Sequence, residues 1–134
     1  MRYLLHLYLI VLPLVILQSC QRDDSALQVV RRTMETALDD LQRGDCQAYF
    51  NHMDFGCEMD SVKSSLFLQA IVQQQSQHIL SGKRQTGARV VEVRMESDTV
   101  AIAYYRQYFS NGDSLDKAQK LVRIGEQWKL RMRN

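Results

Sequence analysis

Three observations predict an α+β domain with N-terminal helices packed on an antiparallel sheet of about four strands. Apolar residues recur at helical spacing in the first half of the chain. They alternate at period two in the second half, and glycine-bearing turn signals separate the alternating runs. Helices first and a meander afterwards place the helices on one face of a single sheet.

The chain has 134 residues and begins with a segment that does not read as part of the domain. Arg2 supplies a short positive region, and Tyr3 to Leu17 carries no Asp, Glu, Lys or Arg. The run is too short and too abruptly followed by charge for a spanning helix, and it reads as a secretory signal over residues 1–19. Its end, Leu17-Gln18-Ser19-Cys20, resembles the lipobox of bacterial lipoproteins, with Gln18 departing from the small or branched residue usual there. The resemblance implies cleavage before Cys20 and a diacylglycerol on its sulfur. The alternative is an ordinary signal peptide followed by an unrelated Cys. Each buried methylene contributes about 0.8 kcal/mol to membrane partitioning, so two or three chains on Cys20 make a permanent anchor. Gln21-Arg22-Asp23-Asp24 resembles the acidic export signal of surface-exposed lipoproteins in one Gram-negative group; read plainly, it is a hydrophilic tether. The expected address is the bacterial outer membrane, lipid-anchored and surface-exposed, with its periplasmic face as the alternative.

Residues 25–134 then form one domain, because the 115 residues beyond the signal suffice for one core and not two. Ser25 to Arg43 is an amphipathic helix with Leu27, Val30, Met34, Leu38 and Leu41 on one face. Asp24 or Ser25 caps it and Gly44 ends it. Asp45 offers an N-cap for a short helix from Cys46 to about Met53. Asn51 to Asp60 reads as loop. Asp60 or Ser61 starts a third helix through Leu66, Ala70, Ile71 and Ile79, stopped by Gly82, with Gln73, Gln74 and Gln77 on a solvated face.

From Ala88 the period becomes two: Val91, Val93 and Met95 alternate with Glu92 and Arg94. Val100 to Phe109 is a second strand, and Asn111-Gly112 is a hairpin signal. A third strand begins at Leu115 or Lys117 and ends at Ile124. After Gly125-Glu126, Trp128, Leu130 and Met132 alternate with Lys129, Arg131 and Arg133. Either Leu121 or the Val122/Ile124 pair shares the Trp128 face.

Arg2 is the one charged residue of the signal, so 16 of the 17 basic and all 15 acidic side chains remain in the domain. That balance, without any block of like charge, excludes a nucleic-acid footprint. Cys46 and Cys57 remain once Cys20 is lipidated; in an oxidising envelope they form a disulfide or stay as two thiols filling the core. No HxH, HxxxH or CxxC spacing points to a metal, and no cofactor is expected.

A long N-terminal helix, Gly44-Asp45 opening a short helix with Ala48, and a sheet ending in Gly125-x-x-Trp128-Lys129-Leu130 resemble the nuclear-transport-factor-2-like (cystatin-like) superfamily. Over residues 25–133 the chain is similar to that superfamily's small bacterial lipoproteins of unknown function. The resemblance implies a curved sheet wrapped as a cone around the long helix, whose open end holds a ligand or an active site.

Candidate residues follow. His52 with Asp54 could supply a general base, as in dehydratases and isomerases of that superfamily. Tyr49, Tyr104, Tyr105 and Trp128 are candidates to line an apolar pocket for a small ligand. Successive strand residues face opposite ways, so only one of Tyr104 and Tyr105 faces the cone, while Trp128 and Phe50 also suit the core. Arg106 beside them would meet an anion or, more simply, the surface. The expected function is a non-catalytic domain binding a small ligand or a protein. The alternatives are an enzyme using His52 and Asp54 and a purely structural lipoprotein.

Overall fold

In a computed structural model, residues 25–132 are described. The signal, Cys20 and the acidic tether lie outside the described residues. A first helix, α1, covers residues 25–42 and is followed by α2 (Cys46–Asn51), β1 (Met53–Asp54) and α3 (Ser61–Leu80). Four longer strands complete the chain: β2 (Gln85–Met95), β3 (Val100–Phe109), β4 (Ser114–Ile124) and β5 (Gln127–Arg131). The sheet order is β1-β5-β4-β3-β2.

Helix boundaries follow from capping chemistry. Asp45 accepts a hydrogen bond from the Ala48 amide at 3.0 Å to start α2. Asp60 does the same for α3 with the Lys63 amide at 2.8 Å. Both long helices end in one motif. Gly44 and Gly82 adopt left-handed φ near +76° and +73°, and the amides beyond turn back to the last carbonyls (Asp45 N to Asp40 O at 2.9 Å, Lys83 N to His78 O at 2.9 Å).

The core forms where α1 lies on the concave face of the sheet. Val30, Met34, Ala37 and Leu38 from α1 meet Val90, Ala101, Ala103, Leu121, Trp128 and Leu130. Ala101 and Ala103 present little bulk on β3, which leaves room for the α1 side chains above them. Leu121 pairs with Leu130 and Arg123 with Trp128, so Leu121 is the residue that shares the Trp128 face.

Three expectations need correction. The sheet has five strands and is mixed: β1, read as loop, pairs parallel with β5 through Met53–Leu130 and Asp54–Arg131. The reason is hydrogen bonding, as the Leu130 amide donates to the His52 carbonyl at 2.7 Å and the Met132 amide to the Asp54 carbonyl at 2.9 Å. Second, Val91 is not on the buried face. A bulge between Val90 and Glu92 shifts the register, burying Val90 and leaving Val91 59% exposed. The Val90 carbonyl, at the bulge, accepts a 2.8 Å bond from Arg31 Nη1 of α1. Third, Leu66 and Ile79 do not mark the buried side of α3, being 60% and 57% exposed. Only Ile71 of that helix is buried.

Candidate functional site

The open end of the cone holds a cavity of about 320 Å³. Strand alternation builds one wall: Tyr105, Gln107 and Phe109 of β3 face inward, with Leu115 and Lys117 of β4 beside them. Leu38 and Leu41 from the end of α1 and Tyr49 from α2 form the floor. The opposite wall is α3, through Phe67, Ala70, Ile71, Gln74, Gln75 and His78. Those six positions follow the three-and-four spacing of one helix face. The face carries two glutamines and a histidine because it borders a cavity rather than the core. Phe67 also stacks edge-on to Phe55, ring centroids 4.7 Å apart, and Phe55 lies 5.7 Å from Phe50, which ties α3 to α2.

Tyr49 and Tyr105 therefore share the cavity, as two of the candidate residues. Burial raises the Tyr49 phenol above its ordinary value. Burial, and secondarily the neighbouring Tyr49, pushes Tyr105 up to about 12. Both remain neutral hydrogen-bond donors at physiological pH. Because the native phenol holds its proton while the unfolded one ionises near 10, the unfolded state binds fewer protons in that interval. Stability is thus expected to be intact below pH 10 and to fall between pH 10 and about 12. Denaturation followed across that range should show the fall, and Tyr105→Phe should flatten it; an unchanged slope would refute the assignment.

A polar chain runs into the same cavity. Gln85 Nε2 donates to the Leu38 carbonyl at 3.3 Å, which fixes its amide orientation and turns Oε1 toward Gln107. Gln107 Nε2 donates to that oxygen at 2.8 Å. Gln107 is 6% exposed, and its own Oε1 is buried without a hydrogen-bond partner. Sequence reasoning missed Gln107. The available signal was its position two residues after Tyr105 on one strand face.

Tyr104 and Trp128 stand elsewhere. Tyr104 lies on the convex face with the Arg94 guanidinium 5.1 Å above its ring, and Arg94 is held by Glu92 at 2.9 Å. Trp128 is in the core. Arg106 is paired bidentately with Asp116, at 2.6 and 2.9 Å, on the convex face.

His52 and Asp54 are not brought together. His52 Nε2 lies 2.8 Å from Asp40 Oδ2, and Asp54 Oδ2 lies 2.7 Å from Arg131 Nε. Asp40 is buried and touches Arg43 through its other oxygen. His52 borders a shallow groove with Thr33, Thr36 and Trp128, on another side of α1 from the cavity. A neutral His52 that donates Nε2–H to Asp40 presents Nδ1 as an acceptor. The Thr33 and Thr36 hydroxyls, however, donate to the Val29 and Arg32 carbonyls of their own helix. Cys46 and Cys57 are free thiols in the structure, Cys46 half-buried and Cys57 exposed, so neither fills the core. Burial, then the adjacent Asp45, raises the Cys46 thiol above its ordinary value. Among the described residues no cluster of His, Cys, Asp and Glu is placed to hold a metal ion, and no helix is long and apolar enough to cross a membrane.

No protein-family description and no curated protein matches the chain. Solved structures do match. A candidate NTF2-like transpeptidase from Campylobacter jejuni aligns over 75% of this chain and 94% of its own, with a TM-score of 0.60 at 13% identity. An NTF-2 like protein of unknown function from Shewanella oneidensis covers 78% and 93%, with a TM-score of 0.53 at 14% identity. A cystatin-like domain of unknown function from Nostoc punctiforme covers 78% and 72%, with a TM-score of 0.50 at 17% identity. The fold is thus the one shared by nuclear-transport-factor-2-like and cystatin-like proteins. At these identities the likeness speaks to fold and not to activity.

Proposed function

We propose that this chain is a lipoprotein of the bacterial outer membrane, anchored through Cys20, whose single domain binds a small ligand in the cavity beneath α3. One observation carries the binding reading: a cavity of about 320 Å³ lined by apolar and aromatic side chains with a few convergent polar groups. This is the usual construction of a small-molecule site. The anchoring rests on the uncharged run Tyr3–Leu17 and on Leu17-Gln18-Ser19-Cys20.

Ala70 gives the direct test. It lines the cavity from an exposed helical position, so Ala70→Trp fills the space at little cost to the fold. Protein purified from its native membrane is expected to carry a small molecule, read by native mass spectrometry, that the Ala70→Trp protein lacks. An identical or empty load in both would remove the binding reading. In the same cells, Cys20→Ala should abolish palmitate labelling, and unchanged labelling would remove the anchor. Protease added to intact cells should cleave the domain, and Asp23→Ala with Asp24→Ala should protect it; a protected wild type would favour the periplasmic face.

General-base catalysis by His52 is the second reading, with Asp40 in the role expected of Asp54, and the 2.8 Å contact favours it. A substrate turned over by the wild type and not by a His52→Asn protein of equal stability would establish it.

A further inference from the structure

We infer that the cavity is selective for an amphipathic organic anion, with its apolar body between Tyr105 and α3 and its carboxylate or sulfonate at Lys83 and Lys117. The inference rests on the binding reading above and adds the chemistry of the ligand.

Charge is the first argument. The chain as a whole is nearly balanced, with 17 basic and 15 acidic side chains. The cavity is not balanced: no Asp or Glu lines it, whereas Lys83, Lys117 and His78 do. Strand register sets this sorting. Asp116 and Lys117 are consecutive on β4 and point to opposite faces. Asp116 pairs with Arg106 on the convex side, and Lys117, opposite Tyr105, stands on the concave side. Among the described residues neither Lys83 nor Lys117 has an ion-pair partner. A lysine on a concave face, without a carboxylate near it, suits an anion that arrives from solution.

The tyrosines supply the second argument. Tyr49 and Tyr105 line the cavity and keep their protons, so they offer donors that favour an acceptor-rich, negative head group.

Two probes isolate the charge by titration calorimetry on the full chain in a neutral detergent. Indole-3-propionate has an apolar body and a carboxylate. Its primary amide keeps the body and loses the charge. Indole-3-propionate is expected to bind at least about five-fold more tightly than the amide. Lys117→Gln, at an exposed position, should weaken the acid and leave the amide unchanged. Ala70→Trp should abolish binding of both, which locates them in the cavity. If the acid and its amide bind equally, or Lys117→Gln affects them alike, the anion assignment is wrong while binding stands. If neither probe binds the wild type, the binding reading itself fails.

Discussion

Leu130→Ala is expected to lower the unfolding free energy by about 2–5 kcal/mol, the largest effect of any single truncation considered. Leu130 is 0% exposed. It stands between Leu121 on one side and Met53 on the other, so it closes the core and also holds β1 against β5. For a domain of this size each kcal/mol corresponds to about 4–8 °C in melting temperature. A thermal melt should therefore fall by on the order of 10 °C or more. Val91→Ala, in the residue that the bulge turns outward, should change stability by less than about 0.5 kcal/mol. Comparable losses in the two variants would show that β2 has the opposite register.

The second large effect concerns Asp40, a carboxylate 7% exposed with two side-chain partners, Arg43 and His52. The asymmetry of burial decides the outcome. Arg43 is 61% and His52 26% exposed, so water can solvate either of them if Asp40 is lost. Asp40 has no such recourse. His52→Ala alone, which leaves Arg43 on the carboxylate, should cost about 1–3 kcal/mol. Arg43→Ala together with His52→Ala strands a buried charge and should cost about 3–5 kcal/mol, while Asp40→Asn should cost less than that double variant. Denaturant titration of the three proteins checks the order. A double variant as stable as His52→Ala alone would mean that the carboxylate is solvated. The result bears on function too, because any loss of activity in a His52 variant must be read at matched stability.

Much of this architecture was legible from local rules. The Val30–Met34–Leu38 spacing specified α1 and its buried face, and Asp45 and Asp60 specified two helix starts. The alternation around Trp128 and Leu130 specified β5. Features set by distant partners were not legible. A strand of two residues has no period, and β1 exists because the Leu130 and Met132 amides need the His52 and Asp54 carbonyls. The bulge at Val90–Glu92 inverts an alternation that reads equally well in either register, and Arg31 of α1 bonds the Val90 carbonyl beside it. On helix α3, Gln73, Gln74 and Gln77 are exposed as their pattern reads, but that pattern gives no sign that Gln74 also borders a cavity. At the site, Tyr49 and Tyr105 were named from their residue type, whereas Gln107 depends on an amide chain assembled from α1, β2 and β3. The partner of His52 was sought two residues away. It came from α1, across the Gly44 turn, because the helix reversal brings Asp40 alongside the end of α2.

The attachment of α3 has a consequence for timing. The core residues are supplied by α1 and by strands β2 to β5, and α3 contributes none of them. Lifting α3 therefore breaks the Phe67 contacts and uncovers Ile71, but leaves every residue of that core in place. Such an opening costs a fraction of the global unfolding free energy. The wall of the cavity and the frame that shapes it thus have separate lifetimes. Under the proposed binding, a guest would enter and leave on the clock of one helix, while the sheet behind it stays folded through many exchanges.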